Sequence, residues 1–186
     1  MPHDILLPDC DIQSFRSTFV SKEEYRKRVG EMSVKEALFD RKATSAFEEN
    51  LKNHIVSKAL VTVGAGGLRV TSYIVSDDPS STTVYVSYGG GRLNVTSEGR
   101  DGDIGYFLVA RQADAGVKLR IESRREHYKV RTWTVNAILI ILGLVFGVIP
   151  GIVIALFVIF GEPILYRKKI EKFIAPALET TFGRIQ

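Results

Sequence analysis

The 186-residue sequence has one cysteine and three histidines. A single thiol excludes an internal disulfide framework and any all-cysteine zinc site. His3, His54 and His127 stand apart, and none belongs to a local ligand pattern, so no metal is expected. The first twenty residues lack the basic start and apolar run of a cleavable signal and instead carry Asp4, Asp9 and Asp11. No G-x-S-x-G elbow and no Gly-Lys-Ser/Thr loop occurs. Gly64, Gly66 and Gly67 lead into an alternating strand pattern, so they read as a turn, with no helix N-terminus to receive a phosphate. Gly89, Gly90 and Gly91 read in the same way. Cys10 lies between Asp9 and Asp11, whose charges disfavour a thiolate. The acid pairs Glu23-Glu24, Glu48-Glu49 and Asp77-Asp78 read as solvated helix faces or a turn. No catalytic constellation emerges, and no cofactor is expected.

What the sequence has is apolar content, at 45%, too much for a disordered chain. It is concentrated. Ala137 to Phe160 is a run of 24 residues without a polar side chain. Such a run is read as membrane-spanning. Basic charge brackets it. Residues 1–117 carry a net charge of −2, residues 118–131 a net of +4, and residues 167–172 a net of +3. Arg124, Arg125, Lys129 and Arg131 with Trp133 form one expected membrane-interface group, and Tyr166, Arg167, Lys168 and Lys169 the other. Charge so placed favours a bilayer with anionic headgroups and argues against nucleic acid, which needs a basic stripe along one face.

Pro150-Gly151 interrupts the run as a turn or kink. Two arrangements follow. A transmembrane helical hairpin turning there would put both basic flanks on the cytoplasmic side, as the positive-inside rule requires. One long kinked transmembrane helix from Trp133 to Phe160 would be about 42 Å long, against a hydrocarbon core of roughly 30 Å. Gly143, Gly147, Gly151 and Ala155 form a small-residue stripe suited to close helix packing in either case. The expected localisation is integral membrane, with the N-terminal domain and the C-terminus cytoplasmic.

Before the run, the pattern is α+β. Residues 1–20 show no sustained period and read as an extended leader. Ser21 and Glu24 have capping-box spacing and open a short helix to Gly30. Ser33 and Glu36 repeat the signal ahead of a helix ending near Lys58, with Phe39, Ala43, Phe47, Leu51 and Ile55 on one face. The period then falls to two. Leu60–Val63, Leu68–Val75, Thr83–Tyr88, Leu93–Thr96, Ile104–Ala110 and Val117–Glu122 predict an antiparallel meander of about six strands under the helix. Residues 123–131 extend the last strand or form a basic linker. The domains expected are thus 1–20, a soluble α+β domain at 21–131, the membrane segment at 132–167, and a basic amphipathic tail at 168–186. That tail lies on a membrane surface or packs on the domain or another subunit.

Three functions fit. One is a membrane-anchored interaction or scaffold protein, self-associating as a homo-oligomer or part of a membrane complex. A second is a lipid- or apolar-ligand-binding module walled by Phe39, Phe47, Tyr73, Tyr85, Tyr106 and Phe107. A third is an accessory subunit of a membrane enzyme or transporter.

Overall fold

A computed structural model describes residues 3–31, 45–58, 68–90, 104–127 and 161–186, with the single positions 137, 140, 141, 143 and 153. In chain order the elements are β1 (His3–Leu7), α1 (Ile12–Ser17), α2 (Lys22–Glu31), α3 (Ala46–Ser57), β2 (Leu68–Asp78), β3 (Ser81–Gly90), β4 (Ile104–Ala113), β5 (Gly116–Ser123), α4 (Arg124–His127), α5 (Glu162–Lys169), a π-helical turn (Ile170–Ile174) and α6 (Ala175–Phe182). The strands form one antiparallel sheet in the order β1-β5-β4-β3-β2.

Period two puts alternate side chains on opposite faces. In β5, Val117, Leu119 and Ile121 are buried while Lys118 and Arg120 face solvent. Central β3 and β4 are buried on both faces through Val84–Tyr88 and Gly105–Leu108. One face carries Ile5, Leu7, Val84, Val86, Leu108, Leu119 and Ile121, covered by Phe15 and Phe19 and by Phe47, Leu51 and Ile55 of α3. Residues 47, 51 and 55 are one helical stripe, as the sequence period requires. The other face carries Tyr73, Tyr85 and Phe107, with Tyr25 packed against them.

Both sheet edges are capped. On β2, the Ser72 N–H donates to Glu48 at 2.6 Å and the Ile74 N–H to the Val20 carbonyl at 2.8 Å. On β1, Leu6 and Gln186 exchange two backbone bonds of 2.9 Å each. Open strand edges pair promiscuously, and these contacts occupy part of each.

Residues 3–17 are part of the fold, which corrects the expected leader. β1 pairs with β5 from His3↔Ile121 to Leu7↔Val117. Asp11 caps α1, accepting from the Ser14 N–H at 2.8 Å and the Ser14 hydroxyl at 2.9 Å. The Ser14 N–H, then its hydroxyl, holds the Asp11 carboxyl below its ordinary range. A lowered native pKa adds stability that is present above the unfolded value and lost as pH falls through the native one. Acidification should therefore fray α1, and Asp11→Asn should remove that pH dependence. The Ser14 amide shift in an NMR titration reads it; a flat wild-type curve contradicts it.

The sheet has five strands among the described residues, not about six. The expected strands at Leu60–Val63 and Leu93–Thr96, the Ser33–Glu36 cap and Phe39 lie outside the described residues. The transmembrane hairpin is also corrected, together with the single kinked span and the integral-membrane, cytoplasm-facing placement that rested on them. Among the described residues no helix is long and apolar enough to cross a membrane. Most of 137–160 lies outside the described residues. Where the second arm was expected to end, the chain forms the eight-residue α5, whose last turn holds Arg167, Lys168 and Lys169. That helix runs on into segments buried against the sheet.

Candidate functional site

Residues 161–182 form one helical arm with two different faces. The inner face buries Ile170, Phe173, Ile174, Ala177 and Leu178 in the core. Asn50 of α3 ties the arm down, its side-chain amide donating to the Thr181 hydroxyl at 3.0 Å. The outer face of α5 exposes Ile164 by 56% and Leu165 by 48%.

The middle of the arm is a π turn, closed by the Ala175 N–H donating to the Ile170 carbonyl. Its cause is visible in the sequence. Pro176 has no N–H to give Lys172, and its ring would clash with that carbonyl in a regular α turn. Widening the helix just before Pro176 avoids both. Such turns recur at functional sites.

Against this arm lies an aromatic seam. Tyr88 of β3 and Tyr106 of β4 stack with centroids 6.3 Å apart. Tyr166 meets Tyr106 edge-on at 5.7 Å, and Phe173 meets Tyr88 edge-on at 6.1 Å. His54 touches the far side of Phe173. The Tyr88 and Tyr106 hydroxyl oxygens are shut off from solvent and face no hydrogen-bond partner other than one another. Burial pushes the Tyr88 phenol up to about 12. Burial first, then Tyr88 and Tyr166, pushes the Tyr106 phenol further still. Both remain O–H donors at neutral pH.

The opposite sheet face has a polar corner. Tyr73, Tyr85, Phe107 and Glu122 form one cross-strand row. His127 stacks on Phe107 at 3.9 Å, and its Nδ1 lies 3.0 Å from Glu122. Arg120 pairs with the other Glu122 oxygen at 3.1 Å. The carboxylate orients the imidazole, but no group of nucleophilic type is placed against the ring by these contacts. α4 begins from a capping box in which Ser123 and Glu126 bond each other.

The residues singled out from the sequence are dispersed. Tyr166 faces the sheet. Arg167 is exposed and pairs with Glu171 at 2.8 Å, Lys168 is exposed, and Lys169 is half-buried. Arg124 and Arg125 fall in α4, and Gly143 is buried. Lys129, Arg131, Trp133, Gly147, Pro150, Gly151 and Ala155 lie outside the described residues. The supposed pocket walls divide between faces: Phe47 and Tyr106 on one, Tyr73, Tyr85 and Phe107 on the other. The Cys10 thiol is buried, donates to the Asp11 carbonyl at 3.3 Å, and is pushed up in pKa by burial and then by the Asp11 charge. Among the described residues no His, Cys, Asp and Glu side chains cluster as a metal site. No known family, curated protein or solved structure matches this chain.

Proposed function

We propose that this protein is an interaction module that self-associates through the apolar outer face of its C-terminal arm. One observation supports the reading. Of the five exposed large hydrophobic side chains among the described residues, four (Ile141, Val153, Ile164 and Leu165) fall between positions 141 and 165. Ile164 and Leu165 are adjacent on α5, and a contiguous exposed apolar patch marks an association site rather than ordinary surface scatter. The occupant is a second copy. The exposed side of the arm carries a cation and an anion four residues apart, Arg167 in α5 and Glu171 in the π turn. An antiparallel pairing about a two-fold axis sets each against its opposite on the partner, and such an interface is self-complementary.

The test is the mass of the full chain by sedimentation velocity across a concentration series. The expected result is a reversible dimer, weakened about tenfold or more by Ile164→Glu with Leu165→Glu, since each of these side chains buries on the order of 1–2 kcal/mol of apolar contact. A wild-type monomer at all concentrations overturns the reading. So does a monomer that sediments with anionic vesicles, which would assign the apolar face to a lipid surface.

A further inference from the structure

The outer face of the arm carries charge beside its apolar pair. Lys168 stands one turn after Ile164, and Lys172 one turn after that, so both lysines lie on the stripe that Ile164 and Leu165 open. Both are exposed, and Lys169 beside them is half-buried. Among the described residues none of the three has a carboxylate partner. Glu171, the one acid between positions 163 and 178, is engaged by Arg167 at 2.8 Å. Lys172 leans over the Phe173 ring at 5.7 Å, which holds the side chain in place without neutralising it.

Pairing two arms concentrates this charge. Residues 167–172 carry a net of +3, and a second copy doubles it. α5 has eight residues and is about 12 Å long. Wherever along that length a two-fold axis crosses, Lys168 of each copy lies within two turns of it. Like charges so placed oppose association, and ammonium groups drawn out of water need a counter-charge. The apolar pair draws the copies together against a repulsion that no described side chain offsets.

We infer that the paired arms hold a multivalent phosphate anion between their lysines and that it tightens the dimer, an inference that rests on the self-association reading. The ligand is an anion because the unbalanced charge is positive. It is multivalent because a single charge answers one lysine and cannot bridge two copies. Phosphate oxygens accept from the three N–H donors of each ammonium. Nucleic acid fits less well, because among the described residues no aromatic side chain is exposed for a base to stack on. A soluble phosphate fits better than a lipid headgroup, because in the dimer the apolar pair is covered by its twin and is closed to acyl chains.

The test is sedimentation velocity of the full chain, titrated with sodium tripolyphosphate at an ionic strength held constant with sodium chloride. A ligand held only by the dimer tightens association about tenfold when it reaches about ten times its own dissociation constant. The expected result is a dimer tightened about tenfold or more, saturably, by tripolyphosphate and not by chloride. Lys168→Gln with Lys172→Gln, both at exposed positions, should do the reverse, giving a tighter dimer than wild type in chloride alone and no response to tripolyphosphate. A wild-type dimer indifferent to tripolyphosphate overturns the proposal and leaves self-association standing. So does a double variant that is no tighter in chloride or that still responds to the anion. Tightening by phosphatidylglycerol vesicles but not by tripolyphosphate assigns the lysines to a membrane and overturns it as well. A chain that stays monomeric with and without tripolyphosphate refutes the self-association reading itself, and this proposal with it.

Discussion

Gly116→Ala is expected to destabilise the protein by about 3–5 kcal/mol, from backbone strain together with overpacking. Gly116 opens β5 at φ +126, a conformation open essentially to glycine alone. A Cβ there would also drive into the Leu7 carbonyl oxygen and the Pro8 backbone. Backbone atoms cannot swing aside as a flexible side chain can. The same contact is where β1 meets the β4–β5 turn, and Gln112 ties that turn together. Its side-chain amide donates to the Ala113 and Gly116 carbonyls and accepts from the Ile12 N–H at 2.9 Å. Gly183→Ala is the control. Gly183 also has positive φ, at +88, but a Cβ there meets nothing. It should cost the backbone strain alone, about 1–3 kcal/mol, with no overpacking added. Urea denaturation midpoints compare the two. Equal losses would mean that the Leu7–Pro8 contact does not constrain the turn.

Glu48→Ala should cost about 3 kcal/mol, a fall of roughly 6–12 °C in melting temperature for a chain of this size. Glu48 does two jobs. It closes the capping box of α3, where the Ser45 hydroxyl accepts from the Glu48 N–H at 3.2 Å and the Ser45 N–H donates back at 3.3 Å. Its other oxygen receives the Ser72 N–H and, at 2.8 Å, the Ser72 hydroxyl. Loss of a cap contributes about 1 kcal/mol, and hydrogen bonds to a charged acceptor contribute more. Part of that is offset, because the variant no longer buries a carboxylate. The Ser72 N–H would then be unpaired at the edge of β2, so the variant should also aggregate more readily on heating. Its exposed neighbour serves as control, since Glu49→Ala should change stability by no more than about 0.5 kcal/mol. Calorimetry with light scattering reads both effects. Identical melting of the two variants would contradict the assigned role of Glu48.

Glu48 also shows why the sequence was only partly legible. Read as one of an acid pair, it belongs on a solvated face. Read by helical period, it lies three residues before Leu51 and seven before Ile55, on the buried face. The period was the better guide. The Ser45–Glu48 cap went unread because the apolar stripe continues through Ser45 from Phe39, and a longer helix absorbed it. The strands Leu68–Asp78 through Gly116–Ser123 follow alternation and turn chemistry, both local, and they were legible. β1 was not, because five residues give too short a pattern and its partner β5, its neighbour in the sheet, is far away along the chain. The apolar run invited a membrane reading because length and hydropathy are local properties. The arm that follows it is placed by burial against a distant sheet. The π turn had a local signal in Pro176. The buried tyrosine pair had none, because its enclosure exists only once β3, β4 and the arm have come together.

The central claim is that α5 meets α5 of another copy through its outer face. Cross-linking tests it most directly, using Leu165→Cys in the full chain against Val56→Cys, which is exposed by 40% elsewhere on the surface. The native Cys10 is buried and does not compete. Mild oxidation should give a disulfide-linked dimer rapidly at position 165 and only slowly at position 56. Equal rates at the two positions, or no dimer at 165, would contradict the claim.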